Sequence, residues 1–271
     1  MKTLAELETD KSTFSIGLAL SDGWNLVSKN LGYYILGGII TMVIAFGVGI
    51  IPFVGGIVNN LILSPCLMGG AVYVTWRISK GKGWTDFGDM FKGFNFLQPI
   101  AISTLIQSVI TTALAILVFF NFLQELIDIF KLSQSADMLT RQEELRDAFL
   151  KLFLDSRFVV SMLILMAALL FISAMWAFKI HFIIIYKMQA WPAMEMSRRI
   201  ARHNLWNLIG LFIVMGCILM ISAIPCGIGL LFTVPWLIGA TYSAFAQITQ
   251  CDRPDEINEE MFDFMADNKA E

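Results

Sequence analysis

Apolar residues in this chain run in long unbroken blocks separated by short charged stretches, and they do not alternate. A helix needs ~20 consecutive apolar residues to cross the ~30 Å hydrocarbon layer of a bilayer. Blocks of that length predict membrane helices at about 31–51, 57–79, 98–121, 158–182, 205–224 and 227–249. A membrane β-barrel would instead show ~10-residue segments alternating apolar and polar, and runs such as Met162 to Phe171 do not alternate. The expected fold class is therefore an all-α integral membrane protein with six transmembrane helices. The reversals Pro52 to Gly56 and Pro225 to Gly229 carry no charge. The helix hairpins 31–79 and 205–249 can each insert as one apolar pair, with Pro and Gly making the turn.

Those two hairpins look like copies of one unit. Lys29-Asn30-Leu31 leads a span ending at Pro52 and Gly55-Gly56, and His203-Asn204-Leu205 leads one ending at Pro225 and Gly227-Ile228-Gly229. Asn30 to Pro52 covers 22 residues and Asn204 to Pro225 covers 21. The second helix of each hairpin is expected to break at Pro65 or Pro235, followed by Gly69 or Gly239 and then by Tyr73 or Tyr242. Compositional coincidence is the plainer alternative, since Pro and Gly are common in membrane helices. Four spans separate the two starts, so the duplication would be parallel, with a pseudo-twofold axis along the membrane normal.

An amphipathic stretch precedes each hairpin. In the first, Ile16, Leu20, Trp24 and Val27 fall at helical spacing; in the second, Trp191, Pro192, Met196 and Ile200 oppose Arg198, Arg199 and Arg202. A third, Trp84 to Phe96, sets Phe87, Phe91 and Phe94 on one face between Lys82 and Lys92. All three abut predicted spans on the basic side, which suits interfacial helices better than packing in a soluble core. Between the third and fourth spans, Thr140-Arg141-Gln142-Glu143 reads as a capping box. It opens a helix bearing Leu145, Phe149 and Leu152, after one bearing Phe122, Leu126 and Phe130.

Composition agrees with lipid as solvent: 271 residues, 57% hydrophobic, 15% charged, mean hydropathy +0.70. Basic residues set the orientation. Fourteen of the 19 Lys and Arg lie in or beside the N-terminal segment, the second and fourth loops and the C-terminus, against five in the third loop, which also holds seven acids. A single membrane domain over 1–271 in the cytoplasmic (inner) membrane is expected, with both termini cytoplasmic. Within it, 1–30 is a cytoplasmic segment with an interfacial elbow helix, 122–157 an extracytoplasmic helical hairpin and 250–271 an acidic cytoplasmic tail. Residues 1–30 lack the short core and cleavage site of a secretory signal, so the first span should stay as an anchor. Cys66, Cys217, Cys226 and Cys251 show no paired spacing and suggest neither disulfide nor metal.

The chemistry available is narrow. No Asp, Glu, Lys, Arg or His occurs in 31–76, 93–124, 158–178 or 205–251. Ion-coupled carriers and intramembrane metalloenzymes need such groups near mid-membrane. Lys179 and His181 sit at the end of the fourth span, where a lysine is expected to snorkel to the interface. No Ser, His and acid set shares a depth, so no catalytic residue, cofactor or metal is expected. Ser103, Gln107 and Thr111 share a face of the third span, with Thr104, Ser108 and Thr112 beside them. That stripe is helix-to-helix glue by default, or a solute path together with Asn59, Asn60 and Ser64. Pro-interrupted helices at matching places point to a mid-membrane site at Pro65, Gly69, Pro235 and Gly239, with Gln107. A basic rim of Lys29, Arg77, Lys80, Arg198, Arg199 and Arg202, with Lys82, Lys92 and Lys187, offers contacts for lipid headgroups. The expected function is binding or organising lipid, or scaffolding an envelope complex, without catalysis. The alternative is a passive transporter or channel for a small or lipid-like solute. Membrane lipids are the expected partners, with a protein partner at the 122–157 hairpin or the acidic tail, and no nucleic acid.

The Trp24 to Asn30 elbow, the Pro52 and Pro65 hairpin, and the Trp191 to Asn204 elbow followed by Pro225, Gly227, Gly229, Pro235 and Tyr242 carry a family likeness over most of the chain. In these features the protein resembles bacterial multi-pass proteins similar to the membrane domain joined to some glycerophosphoryl diester phosphodiesterases. In that family the phosphodiesterase activity belongs to a separate soluble barrel, for which this chain has no room. The resemblance implies a fold and no reaction.

Overall fold

The computed structural model describes residues 2, 6–7, 12–52, 54–82, 86–134, 138–224 and 227–252, with the side chains of 138–141 left out. Pro225, Trp84, the first two residues of the Thr140 capping box and the tail beyond Asp252 lie outside this description, wholly or in their side chains. The protein is 87% helical with no strand among the described residues. Six helical stretches are long and apolar enough to cross a membrane: Leu31–Gly49, Val54–Ser79, Phe87–Ser133, Ser156–Ile185, Leu205–Ala223 and Leu230–Thr249. The chain divides into two compact units, one drawing on residues up to Leu105 and from Ala174 onward, the other on Ile106–Ser173.

In the first unit, α1 (Ile16–Ser28) leads through Asn30 into α2 (Leu31–Gly49), and α3 (Val54–Ser79) follows after a tight reversal. A 3-10 helix, Phe87–Phe96, enters α4 (Leu97–Phe119). After the second unit come α8 (Lys179–Ile185), α9 (Ala190–His203), α10 (Leu205–Ala223) and α11 (Leu230–Thr249). The second unit continues α4 into α5 (Leu123–Ser133), α6 (Met138–Leu154) and α7 (Ser156–Met175). There α5 packs on α6 around Phe122, Leu152 and Phe158, while Phe130 and Phe149 stay exposed. Asp155 caps α7 by accepting the Arg157 N–H at 2.8 Å.

The two hairpins share measurable features. Asn30 (φ −126°, ψ 24°) and Asn204 (φ −115°, ψ 15°) hold nearly the same non-helical conformation, and each opens a helix of 19 residues. Gly55 follows Asn30 by 25 residues and Gly229 follows Asn204 by 25. A methyl group on either glycine would strike the carbonyl oxygen seven residues earlier, that of Val48 or Ser222. Only glycine lets the returning helix come so close. Beyond the turn the spacings diverge: Pro65 lies ten residues past Gly55, whereas Pro235 lies six past Gly229. The longer segment includes a π-helical turn at Asn59–Leu63, which does not end α3.

Neither proline breaks its helix, contrary to the sequence expectation. Pro65 lies just past the π-helical turn Asn59–Leu63, at the start of the α-helical stretch Ser64–Ser79, and α3 continues through it. Pro235 lies inside α11 and deprives the Leu231 carbonyl of its helical donor, but the helix continues to Thr249.

Both second helices carry a short amphipathic element on a seam of small residues. Onto α11 packs α1: Gly23 meets the backbone of Gly239 and Ala240, and Ala19 and Val27 are buried on the same face. Trp236 Nε1 donates to the Leu20 carbonyl at 2.8 Å, and Trp24 stands edge-on to Trp236 at 5.7 Å. Onto α3 packs the 3-10 helix, with Gly93 against the Cys66 carbonyl and Gly70 against the Met90 carbonyl. Small residues let backbones approach closely enough for dispersion to hold them.

Candidate functional site

A cavity of about 310 Å³ lies among α2, α3 and α11, at the lower end of the ~300–1,000 Å³ range of small-ligand sites. From α2 it takes Tyr34, Ile35, Gly38 and Thr41, and from α3 Ser64, Leu67, Met68 and Ala71. Leu230, Leu231, Val234, Pro235 and Ile238 of α11 complete it with Met90. These positions repeat at three and four residues, so each helix contributes one face. Apart from the hydroxyls of Tyr34, Thr41 and Ser64, the lining side chains are apolar. The Leu231 carbonyl freed by Pro235 adds one backbone acceptor.

Polar closure lies at one end of this cavity. The Tyr34 hydroxyl meets Thr75 Oγ1 at 2.8 Å, and Thr75 donates to the Ala71 carbonyl at 2.7 Å. Tyr34 thus ties α2 to α3 through two fully buried partners. Further along, Arg77 donates to Asp89 Oδ2 at 2.8 Å, and Lys92 lies 3.4 Å from Asp89 Oδ1. Lys92 also donates to the Tyr73 hydroxyl at 3.2 Å, with its ammonium 5.0 Å from the Tyr73 ring centroid. The Asp89 side chain is only 7% exposed. This charge network locks the 3-10 helix onto α3, beside the Gly70–Gly93 seam.

Of the residues predicted for a mid-membrane site, the structure brings only Pro235 into the cavity lining. Pro65 is buried in α3 and Gly69 faces the side chains of Ile100 and Ile184, on the opposite side of α3 from the cavity. Gly239 is spent on the α1 seam. Gln107 belongs to the second unit. Two hydroxyls of the third-span stripe bond their own helix, Ser103 to the Ile100 carbonyl at 2.9 Å and Thr111 to that of Gln107 at 3.0 Å, while the buried Thr104 Oγ1 has no hydrogen-bond partner among the described residues.

The predicted headgroup contacts divide in the same way. Arg77 is engaged by Asp89. Arg198 and Arg199 both hold Glu195, at 2.6 and 3.2 Å. Hydrogen bonds from Arg198 and then Arg199 draw the Glu195 carboxyl down to about 2. Arg202 and Lys29 are exposed, and Lys80 is half-buried with its N–H closing the last turn of α3. Lys179 does not snorkel. Its side chain is buried, and the ammonium donates to the Ser103 carbonyl at 3.3 Å. His181 is buried among Phe178, Tyr242 and Phe245, with neither ring nitrogen bonded.

Asp89 and the Tyr34–Thr75 pair are the residues that sequence reasoning missed. The i, i+3 spacing of Asp89 and Lys92 was a visible signal, and it sits in the amphipathic segment read for its phenylalanines and flanking lysines, with its acid passed over.

Six helices long and apolar enough to cross a membrane mark a multi-pass helical membrane protein. Comparison with known protein families, curated proteins and solved structures found no match for this chain.

Proposed function

We propose that this protein is a non-enzymatic multi-pass protein of the bacterial inner membrane that binds lipid, with an acyl chain seated between α2, α3 and α11. The observation that carries the reading is the 310 Å³ cavity, apolar but for a few hydroxyls and one freed carbonyl. An uncharged wall of this kind rewards hydrocarbon and gives no purchase to an ion. Lipid binding is favoured over a solute path because Ser103 and Thr111, on the face that such a path would use, are bonded to their own helix.

In this reading the hairpins 31–79 and 205–249 are a parallel duplication. The matching Asn conformations, the equal 25-residue offsets to Gly55 and Gly229 and their shared carbonyl contacts support it. Both termini are cytoplasmic, α9 lies at the headgroup level, and the 122–157 hairpin and the acidic tail are where an envelope partner would dock. The likeness to phosphodiesterase-linked membrane domains extends to architecture alone.

Gly38 gives a clean test, because a side chain there meets nothing within 4 Å and points into open cavity. In native mass spectrometry the wild-type protein should carry stoichiometric lipid, and Gly38→Leu should lose it while melting no lower than wild type. Wild-type protein free of lipid, or Gly38→Leu retaining it, would sink the proposal.

A further inference from the structure

A second cavity, of about 420 Å³, lies between α1 and α11 with Ser79 at the end of α3, and differs from the first in chemistry. Asp22, Asn25 and Lys29 of α1 and its C-cap line it, facing Ser243, Gln247 and Gln250 of α11. Asp252 lies on the rim, where the left-handed Gln250 (φ 53°) reverses the chain. At its floor the Ser79 and Tyr242 hydroxyls are 2.7 Å apart.

Three charges of both signs line this space, and Asp22, Lys29 and Asp252 enter no ion pair among the described residues. Two other charge clusters of this unit are closed: Arg77, Asp89 and Lys92 neutralise one another, as do Glu195, Arg198 and Arg199. Asp22 and Lys29 are seven residues apart along α1, roughly 10 Å of helical rise, too far to pair directly. A ligand carrying both charges would bridge them.

One ridge of α11 joins the two cavities. Val234 and Ile238 face the apolar one, and Tyr242, Ala246 and Gln250 continue the same i, i+4 row along the polar one. The arrangement matches an amphiphile lying along α11, hydrocarbon at one end and charged group at the other.

We infer that the polar cavity receives a zwitterionic headgroup of the phosphoethanolamine type, with its phosphate at Lys29 and its primary ammonium at Asp22 and Asp252. The amide oxygens of Asn25 and Gln250 are further acceptors, which favours an N–H-bearing ammonium over a quaternary one that cannot donate, while that of Gln247 already accepts from the Ser15 N–H at 3.0 Å. The assignment rests on the reading of the apolar cavity as a lipid site.

The full-length protein, equilibrated with equal amounts of phosphatidylethanolamine, phosphatidylcholine and phosphatidylglycerol, separates these ideas by native mass spectrometry. Phosphatidylethanolamine should dominate the bound lipid. Lys29→Gln, or Asp22→Asn with Asp252→Asn, should cut that preference about tenfold, the size of one lost charge-assisted hydrogen bond, and leave total bound lipid unchanged. All three positions are exposed, so these variants should fold. Bound lipid without headgroup preference, or preference that survives both variants, overturns the headgroup assignment and leaves the acyl site standing. Millimolar glycerophosphoethanolamine distinguishes the source of the group. Its binding to lipid-free protein would keep the polar site and overturn the acyl site; no binding of it, with no lipid on the wild type, overturns both.

Discussion

Asp89→Ala should be the most damaging single change in the α3 region, and the structure sets its size. The substitution leaves the Arg77 guanidinium, 15% exposed, without its carboxylate, and Arg77 Nε already lacks a partner. Removing one member of a buried ion pair strands the other charge away from water, at a cost of about 3–5 kcal/mol. With roughly 2–4 °C of melting temperature per kcal/mol for a chain of this size class, the variant should melt roughly 10 °C below wild type. Thermal unfolding in detergent, followed by intrinsic fluorescence at fixed scan rate, measures the difference. The double variant Asp89→Leu with Arg77→Met removes the more buried pair, leaving Lys92, 30% exposed, free to turn to water, and replacing such a pair by apolar residues is often neutral. It should recover most of the loss. Asp89→Ala melting within ~2 °C of wild type would refute the idea that this pair is desolvated. A double variant less stable than the single one would show that Arg77 matters through contacts other than Asp89.

Three further outcomes follow from the same geometry. Gly23→Ala drives a methyl into the Ala240 backbone and should destabilise by ~1–3 kcal/mol, whereas Gly32→Ala meets nothing and should be neutral or stabilising, both read by melting. Tyr34→Phe removes one neutral hydrogen bond while Thr75 keeps the Ala71 carbonyl, so the loss should be about 1 kcal/mol by the same assay. Glu195 has a folded-state carboxyl lowered from the ordinary 4.5 to about 2. Its stabilisation is therefore complete above pH 4.5 and disappears as pH falls toward 2; melting across that window should show a slope that Glu195→Gln flattens.

Much of this architecture was written in the hydropathy of the chain, because a lipid-spanning helix must satisfy its own backbone and so announces itself by length and apolarity. Leu31–Gly49 and Leu205–Ala223 begin where their Asn residues place them and end within two residues of the predicted limits. What stayed hidden was direction around each helix axis. A span that is apolar on every side does not reveal that Ala71 and Ile238 border a cavity while Gly69 and Gly239 are packed. These glycines looked like pointers to a ligand, and proved to be where two isoleucine side chains pack, at Gly69, and where two backbones touch, at Gly239. Lys179 misled for a related reason: its position near a helix end predicted escape to water, but α8 is enclosed on all sides.

The seat of α1 on α11 has a temporal consequence. Gly23 and Gly239 are 216 residues apart, so at ~5–20 residues per second the ribosome needs roughly ten to forty seconds to deliver the second after the first. Throughout that interval the Ala19, Gly23 and Val27 face has no protein to rest against. Lys2, whose N–H donates to the Thr249 carbonyl at 3.1 Å, and Ser12, whose carbonyl accepts from Asn204, wait for the same late-made segments. This early-made helix is thus among the last to be housed, and a chain stopped short of α11 would carry its defect far from the break, as an unseated α1.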